Sequence, residues 1–302
     1  MTRLDLLLLL MVLIWGANFS LVKVAMRDFP ELAFNALRLV IASGVFLVAI
    51  WWQKRRAPRT LQNRSEPSRT FLNLSRADFA RLAFLGVVGH FLYQLCFLGG
   101  IRRTSVGNGS LIIGASPVII SLFSSMAGHE RIPRLRWAGV FLALAGLYLV
   151  VGHHVEWSPA SRLGDALVVG SMLCWATYSV AAQPMLKRHS PLIVTGVSIS
   201  LGAVIYVVVT LPSLVAVDWA AISLGSWVLM ALSAVLALSA AYLIWYTGVQ
   251  RLGSSRTSMY SYLTPIVAML VATVWLGEPI SGNQAAGAGA ILAGLALTRV
   301  AH

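Results

Sequence analysis

Acidic side chains are scarce. Ten stand in 302 residues: Asp5, Asp28, Glu31, Glu66, Asp78, Glu130, Glu156, Asp165, Asp218 and Glu278. All lie at the ends of apolar runs or between them. A pump for lipophilic cations needs a carboxylate at membrane depth, and none is placed there. Charge of either sign is low, at 11% of residues, whereas soluble domains carry about 25%. That deficit excludes a soluble globular chain. Cysteine is reduced to Cys96 and Cys174, both inside apolar runs, which leaves no disulfide framework and no Cys/His metal spacing. No metal or cofactor is expected. Long hydrophilic stretches are also missing, so no extramembrane domain is expected.

What remains is apolar sequence, with hydrophobic residues at 58% and a mean hydropathy of +0.79. Crossing a hydrocarbon core of ~30 Å takes about 20 helical residues. Ten runs approach that length, at 4–26, 32–52, 79–101, 104–127, 134–152, 163–186, 192–212, 225–249, 255–276 and 283–300. The expected fold is all-α and integral to the membrane. The first run follows Arg3 as a signal peptide would, but it is longer than a usual apolar signal core, so it is read as a retained span. With the N-terminus in the cytoplasm, seventeen Lys and Arg fall on the cytoplasmic side. Eight of them are Lys54, Arg55, Arg56, Arg59, Arg64, Arg69, Arg76 and Arg81. Five fall outside (Lys23, Arg27, Arg102, Arg103, Arg162), and Arg38 stands within a span. This asymmetry is the one expected when positive loops stay cytoplasmic, and it puts both termini there. The basic loop at 53–78 meets anionic head groups rather than nucleic acid.

Shifted by 148 residues, the chain matches itself without a gap over some fifty positions. Gly100 meets Gly248, Arg103 meets Arg251, Pro117 meets Pro265 and Glu130 meets Glu278. Near the start of each half the shift is 160, which sets Trp15 on Trp175. Two five-span repeats follow, 1–152 and 153–302. An odd number of spans inverts the second copy, and inverted repeats are a recurring device of secondary transporters.

The motifs fit that reading. "IWGANF" (14–19), "FNALRLVIA" (34–42), "TSVGNGSLIIGASPVI" (104–119) and "GEP" (277–279) stand in an order that resembles the drug/metabolite transporter superfamily, in its ten-helix, EamA-type branch. Within that branch the chain is similar to exporters of aromatic and other neutral amino acids. The resemblance implies a bacterial inner-membrane protein, with a central cavity lined by spans 3, 4, 8 and 9 and surrounded by 1, 2, 6 and 7.

The spacing of polar and aromatic residues nominates the lining. His90, Tyr93, Gln94 and Phe97 fall at i, i+3, i+4 and i+7, one helical face, and polar groups turned to lipid go unsatisfied. At the 148 shift, Gln94 and Phe97 correspond to Tyr242 and Trp245. Trp15, Asn18, Trp175 and Tyr178 come from spans 1 and 6, Ser110 from span 4 and Tyr260 from span 9. Arg38, without an acidic neighbour in sequence, suits a substrate carboxylate. Plainer readings stand beside these. Tryptophan packs well between helices, His90 can bond a carbonyl, Asn108 can cap a helix, and Arg38 can snorkel or bond backbone.

Pro117 and Pro265 are expected to kink the fourth and ninth spans and to act as hinges, with Ser116 and Thr264 satisfying freed carbonyls. Glu130 and Glu278 are expected to cap spans 5 and 10. The Gly139/Gly146 and Gly287/Gly294 pairs permit close helix packing, within the chain or between copies, with a monomer the expected state.

The expected function is export of small neutral or aromatic amino acids, or related metabolites, by alternating access. An exchanger of phosphorylated or nucleotide-sugar metabolites needs several intramembrane basic groups, and only Arg38 is one. Drug efflux lacks its carboxylate. An intramembrane enzyme built on Ser110 and His90 has no supporting motif.

Overall fold

The computed structural model describes residues 2–56, 74–104, 109, 112–151, 162–276 and 280–300, and every regular element among them is helical. In chain order these are α1 (Arg3–Ala25), α2 (Glu31–Arg56), α3 (Arg76–Gly86), α4 (Tyr93–Ile101), α5 (Ser116–Met126), α6 (Arg134–Val151) and α7 (Arg162–Ala181). They continue with α8 (Gln183–Leu186), α9 (Pro191–Val215), α10 (Leu224–Leu232), α11 (Ala241–Leu252), α12 (Ser254–Met259), α13 (Thr264–Leu276) and α14 (Gly282–Val300). Among the described residues, five continuous helical stretches are long and apolar enough to cross a membrane: Glu31–Arg56, Arg76–Gly100, Arg162–Leu186, Pro191–Val215 and Leu224–Leu252. Five of the starts carry a polar cap, since the first N–H groups of a helix lack intrahelical acceptors. Thr2 and Asp5 form a reciprocal capping box on α1, and Ser281 and Gln284 do the same on α14. Ser75, Ser190 and Ser223 cap α3, α9 and α10.

The sequence repeat recurs in the elements. Adding 148 to the starts of α3, α4, α5 and α6 (76, 93, 116, 134) gives 224, 241, 264 and 282, the starts of α10, α11, α13 and α14. Adding 160 to the start of α2 gives 191, the start of α9. The irregularities coincide as well. A π-helical segment, Val87–Leu92, joins α3 to α4, and another, Ser233–Ala240, joins α10 to α11. The wider π turn misaligns the backbone ladder and often marks a functional site.

α6 and α14 pack along their length with glycine facing glycine. A Cβ on Gly139 would stand 2.6 Å from the Gly294 carbonyl oxygen, and one on Gly146 would stand 2.6 Å from that of Gly287. The glycines therefore serve packing within one chain. Because 139 meets 294 while 146 meets 287, these repeat-related helices run antiparallel and exchange equivalent contacts. The same economy joins α3 to α9, where a Cβ on Gly86 would lie 2.7 Å from the Ser198 carbonyl oxygen.

Both prolines sit where a helix is interrupted rather than bent. Pro117 is the second residue of α5, after a turn at Ala115, and Pro265 is the second residue of α13, after the 3-10 turn Tyr260–Leu263. Early helical positions tolerate proline because its missing N–H has no intrahelical partner there. Ser116 donates to the Ile113 carbonyl as expected, whereas the buried Thr264 hydroxyl has no partner among the described residues.

Candidate functional site

The centre of the molecule is an aromatic cluster drawn from four stretches of chain. Trp15 of α1 lies 5.9 Å from Trp175 of α7, 6.1 Å from Tyr242 and 5.6 Å from Trp245 of α11, centroid to centroid. Trp175 approaches Trp245 at 5.2 Å and Tyr242 at 5.5 Å, and Tyr93 of α4 at 5.6 Å. Tyr93 in turn stacks on Phe97 at 5.7 Å. The rings meet mostly edge-on or tilted, the arrangements their quadrupoles favour. Trp15 and Trp175, equivalent in the two repeats, touch each other.

The two π segments feed this cluster. The first places His90 against Tyr178 at 4.8 Å and Tyr242 at 5.6 Å. The second supplies the Ala237 carbonyl that accepts from Trp15 Nε1 at 3.1 Å. Ring spacing along one helix does not predict Ser198 of α9, yet it closes a buried triangle here. His90 Nε2 and Tyr178 Oη are 2.8 Å apart, Tyr178 Oη and Ser198 Oγ 3.0 Å, and Ser198 Oγ and His90 Nε2 3.4 Å. Gly89 is obligatory beside it, since a Cβ there would stand 2.3 Å from the Tyr178 ring. Tyr246 also joins, 5.1 Å from Tyr178.

Several buried polar nitrogens of the cluster are left over. Trp245 Nε1 and His90 Nδ1 have no hydrogen-bond partner among the described residues. Each such group costs about 1–3 kcal/mol when dry. Arg38 of α2 adds a third. It is buried, its Nε has no partner, and its Nη1 makes only a long 3.5 Å contact with Asn35. Its guanidinium lies 5.3 Å from the Phe34 ring and within electrostatic reach of Tyr242 and Tyr93. No carboxylate pairs with it among the described residues. The arrangement can enclose a planar or apolar group among rings and offer N–H donors to an anionic or carbonyl oxygen.

Of the residues nominated from sequence, Trp15, His90, Tyr93, Phe97, Trp175, Tyr178, Tyr242 and Trp245 come together, with Arg38 alongside. Gln94 is buried on α4. Asn18 stands apart, accepting from Ser233 beside a small apolar cavity. Tyr260 is directed to the end of the molecule that carries the N-terminus, where it donates to Asp5. Ser110, Asn108 and Glu278 lie outside the described residues.

Glu130 does not cap α6. Its carboxylate turns across to α12, where Oε1 accepts from the Ser255 N–H at 3.2 Å, Ser124 Oγ at 3.0 Å and Gln183 Nε2 at 3.1 Å. Gly253, at φ +87°, admits it, because a Cβ there would lie 2.5 Å from Oε1. Ser121 of α5 and Ser255 add a 2.9 Å bond between the same two regions.

Comparison with known proteins places this architecture. The model of the EamA-like transporter family matches residues 2–152 and 162–300. An uncharacterized transporter of Bacillus subtilis is 27% identical over 93% of this chain and 88% of its own. An uncharacterized transporter of Archaeoglobus fulgidus is 29% identical over 98% and 97%. A probable terminal-alkyne amino-acid exporter of Streptantibioticus cattleyicolor is 25% identical over 90% and 84%. One solved crystal structure superposes with a TM-score of 0.79 over 99% of this chain and 97% of that one at 20% identity, which speaks to the fold alone. The helices, the repeat and these matches together make the chain a multi-pass membrane transporter that belongs to the EamA-like transporter family.

Proposed function

We propose that this transporter exports small neutral or aromatic amino acids, or closely related metabolites, across a bacterial inner membrane by alternating access. In this reading ten spans form two inverted five-span repeats with both termini cytoplasmic. The antiparallel packing of the repeat-related helices α6 and α14 supports the inversion. The observation that carries the substrate class is the aromatic cluster with unpartnered donors and an unpaired buried arginine beside it. Trp15, Trp175, Tyr242 and Trp245 enclose the solute's side chain, and Arg38 takes its carboxylate, for which the guanidinium fork is shaped. His90, held by Tyr178 and Ser198, orients the wall between them. The amino-acid exporter among the relatives points the same way.

Alternating access needs one side shut while the other opens. Glu130, with Ser121, Ser124, Gln183 and Ser255, fastens α5, α8 and α12 together at the cytoplasmic side. In this reading that clasp is the cytoplasmic gate, and Pro117 and Pro265 mark the breaks about which its halves move. Liposomes containing the purified protein, screened with labelled amino acids with and without a proton gradient, test the proposal. Saturable flux of at least one neutral or aromatic amino acid is expected. Its absence for all of them overturns the substrate assignment.

A further inference from the structure

A cavity of about 750 Å³ opens between α3, the end of α5 and α7, away from the aromatic cluster. α7 contributes Thr177, Val180, Ala181 and the following Pro184 to it, at i, i+3, i+4 and i+7. Trp175 and Tyr178 belong to a neighbouring face of the same helix, so the cavity and the cluster have different walls.

The lining is sorted by depth. Phe84 and Leu85 of α3, Phe123 of α5 and Val180 of α7 make its interior apolar. Arg81, His129 and Arg188 stand at one end of it. On α3 the arginine precedes the apolar residues, whereas on α5 and α7 the polar residues follow them. Adjacent helices of opposite direction therefore bring all three polar groups to the same level. That level is the end of the molecule where Glu130 lies. From Thr177 to Arg188 the helical rise is about 16 Å at 1.5 Å per residue, against a single-leaflet depth of ~15 Å of hydrocarbon. Arg81 and Arg188 converge on Asp78, at 3.6 and 2.6 Å, and keep 58% and 40% of their side chains exposed.

We infer that this cavity is a binding site for one anionic phospholipid of the cytoplasmic leaflet, its phosphate held by Arg81 and Arg188 and an acyl chain lying between Phe84, Phe123 and Val180. Charge complementarity and depth select this occupant. A basic pocket between helices at the cytoplasmic surface suits an anionic head group, and a slot one leaflet deep suits its chain. A soluble anion gains nothing from the apolar interior, and a zwitterionic lipid offers the same phosphate but brings a choline cation that the guanidiniums repel.

The test is native mass spectrometry and thermal unfolding of the intact protein with phosphatidylglycerol or phosphatidylcholine added in equal amount. Wild type is expected to retain phosphatidylglycerol preferentially and to unfold at a higher temperature with it. Arg81→Gln should cut that preference about fivefold, as one basic group near the surface is worth. Ala181→Phe, which fills the slot, should remove retention of both lipids while the lipid-free unfolding temperature stays close to wild type. Should Ala181→Phe fold poorly, Arg81→Gln alone decides. Equal retention of the two lipids by wild type, or an undiminished preference in Arg81→Gln, overturns the proposal. So does phosphatidylglycerol displaced by free oleate at equal concentration, which would make the ligand a fatty acid.

Discussion

Two buried polar regions of this molecule are built on opposite terms. Around Glu130 the donors find an acceptor: the Ser255 N–H, Ser124 and Gln183 converge on one carboxylate oxygen, and Gln183 also donates to Ser254 at 2.8 Å. In the aromatic cluster the reverse holds, with Trp245 Nε1, His90 Nδ1 and Arg38 Nε left without partners. A satisfied network rigidifies what it joins, whereas unsatisfied buried polar atoms hold free energy that a ligand can release. In the proposed reading the first region is a fastening and the second a receptor.

The largest effect expected is that of Trp245→Ala. It empties the middle of the cluster, and deletion of a buried tryptophan costs about 3–5 kcal/mol. Both thermal stability and flux should be lost, and a variant that transports normally would remove the cluster from the pathway. Arg38→Gln should be gentler on the fold and severe on function. Flux of a carboxylate-bearing solute is expected to fall at least about tenfold, a difference of about 1.4 kcal/mol, with partial recovery in Arg38→Lys. An uncharged amide of the same solute should be affected far less.

Glu130→Gln attacks the other term of the contrast. A hydrogen bond to a charged acceptor contributes about 1.5–3 kcal/mol. The amides of residues 254–259 should therefore exchange with deuterium at least about tenfold faster, since each 1.4 kcal/mol is tenfold, while the cluster's helices keep their protection. Pro117→Ala combined with Pro265→Ala should change the transport rate severalfold and the unfolding temperature little, because both prolines lie at helix starts. Unchanged flux would leave them without a hinge role. Smallest is an acid effect in the connection between α1 and α2. Hydrogen bonds from Ser223 and Ser226 hold the Asp28 carboxyl below its ordinary value of 3.8. A depressed carboxylate stabilises above that value and loses its contribution as pH falls through the folded one. Wild type should therefore lose slightly more stability than Asp28→Asn below pH 3.8.

Much of this was legible because helix position follows local apolar runs. The run read at 134–152 is helix Arg134–Val151, and that at 4–26 is Arg3–Ala25. The aromatic and polar residues that cluster were legible through their spacing and the repeat offset. The π segments were not, since "VVGHFL" and "SAVLALSA" have no composition that separates them from ordinary apolar helix. Ser198 and Tyr246 were missed because they join through contacts between distant helices. Glu130 reads locally as a cap for the helix that follows it. Its destination is 125 residues further on at Ser255, and the one local hint is Gly253, whose positive φ and lack of a Cβ admit the carboxylate.

The most direct measurement is concentration-dependent uptake of a labelled aromatic amino acid into proteoliposomes by wild type and Trp245→Phe, with unfolding temperatures taken on the same samples. Phenylalanine keeps one ring in the cluster while removing the unpartnered N–H together with the rest of the indole's five-membered ring. The account predicts apparent affinity weakened at least about fivefold, roughly the 1 kcal/mol of one neutral hydrogen bond, with an unfolding temperature well above that of Trp245→Ala because a ring still fills most of the site. Unchanged affinity together with unchanged stability would contradict the claim that this buried donor waits for substrate.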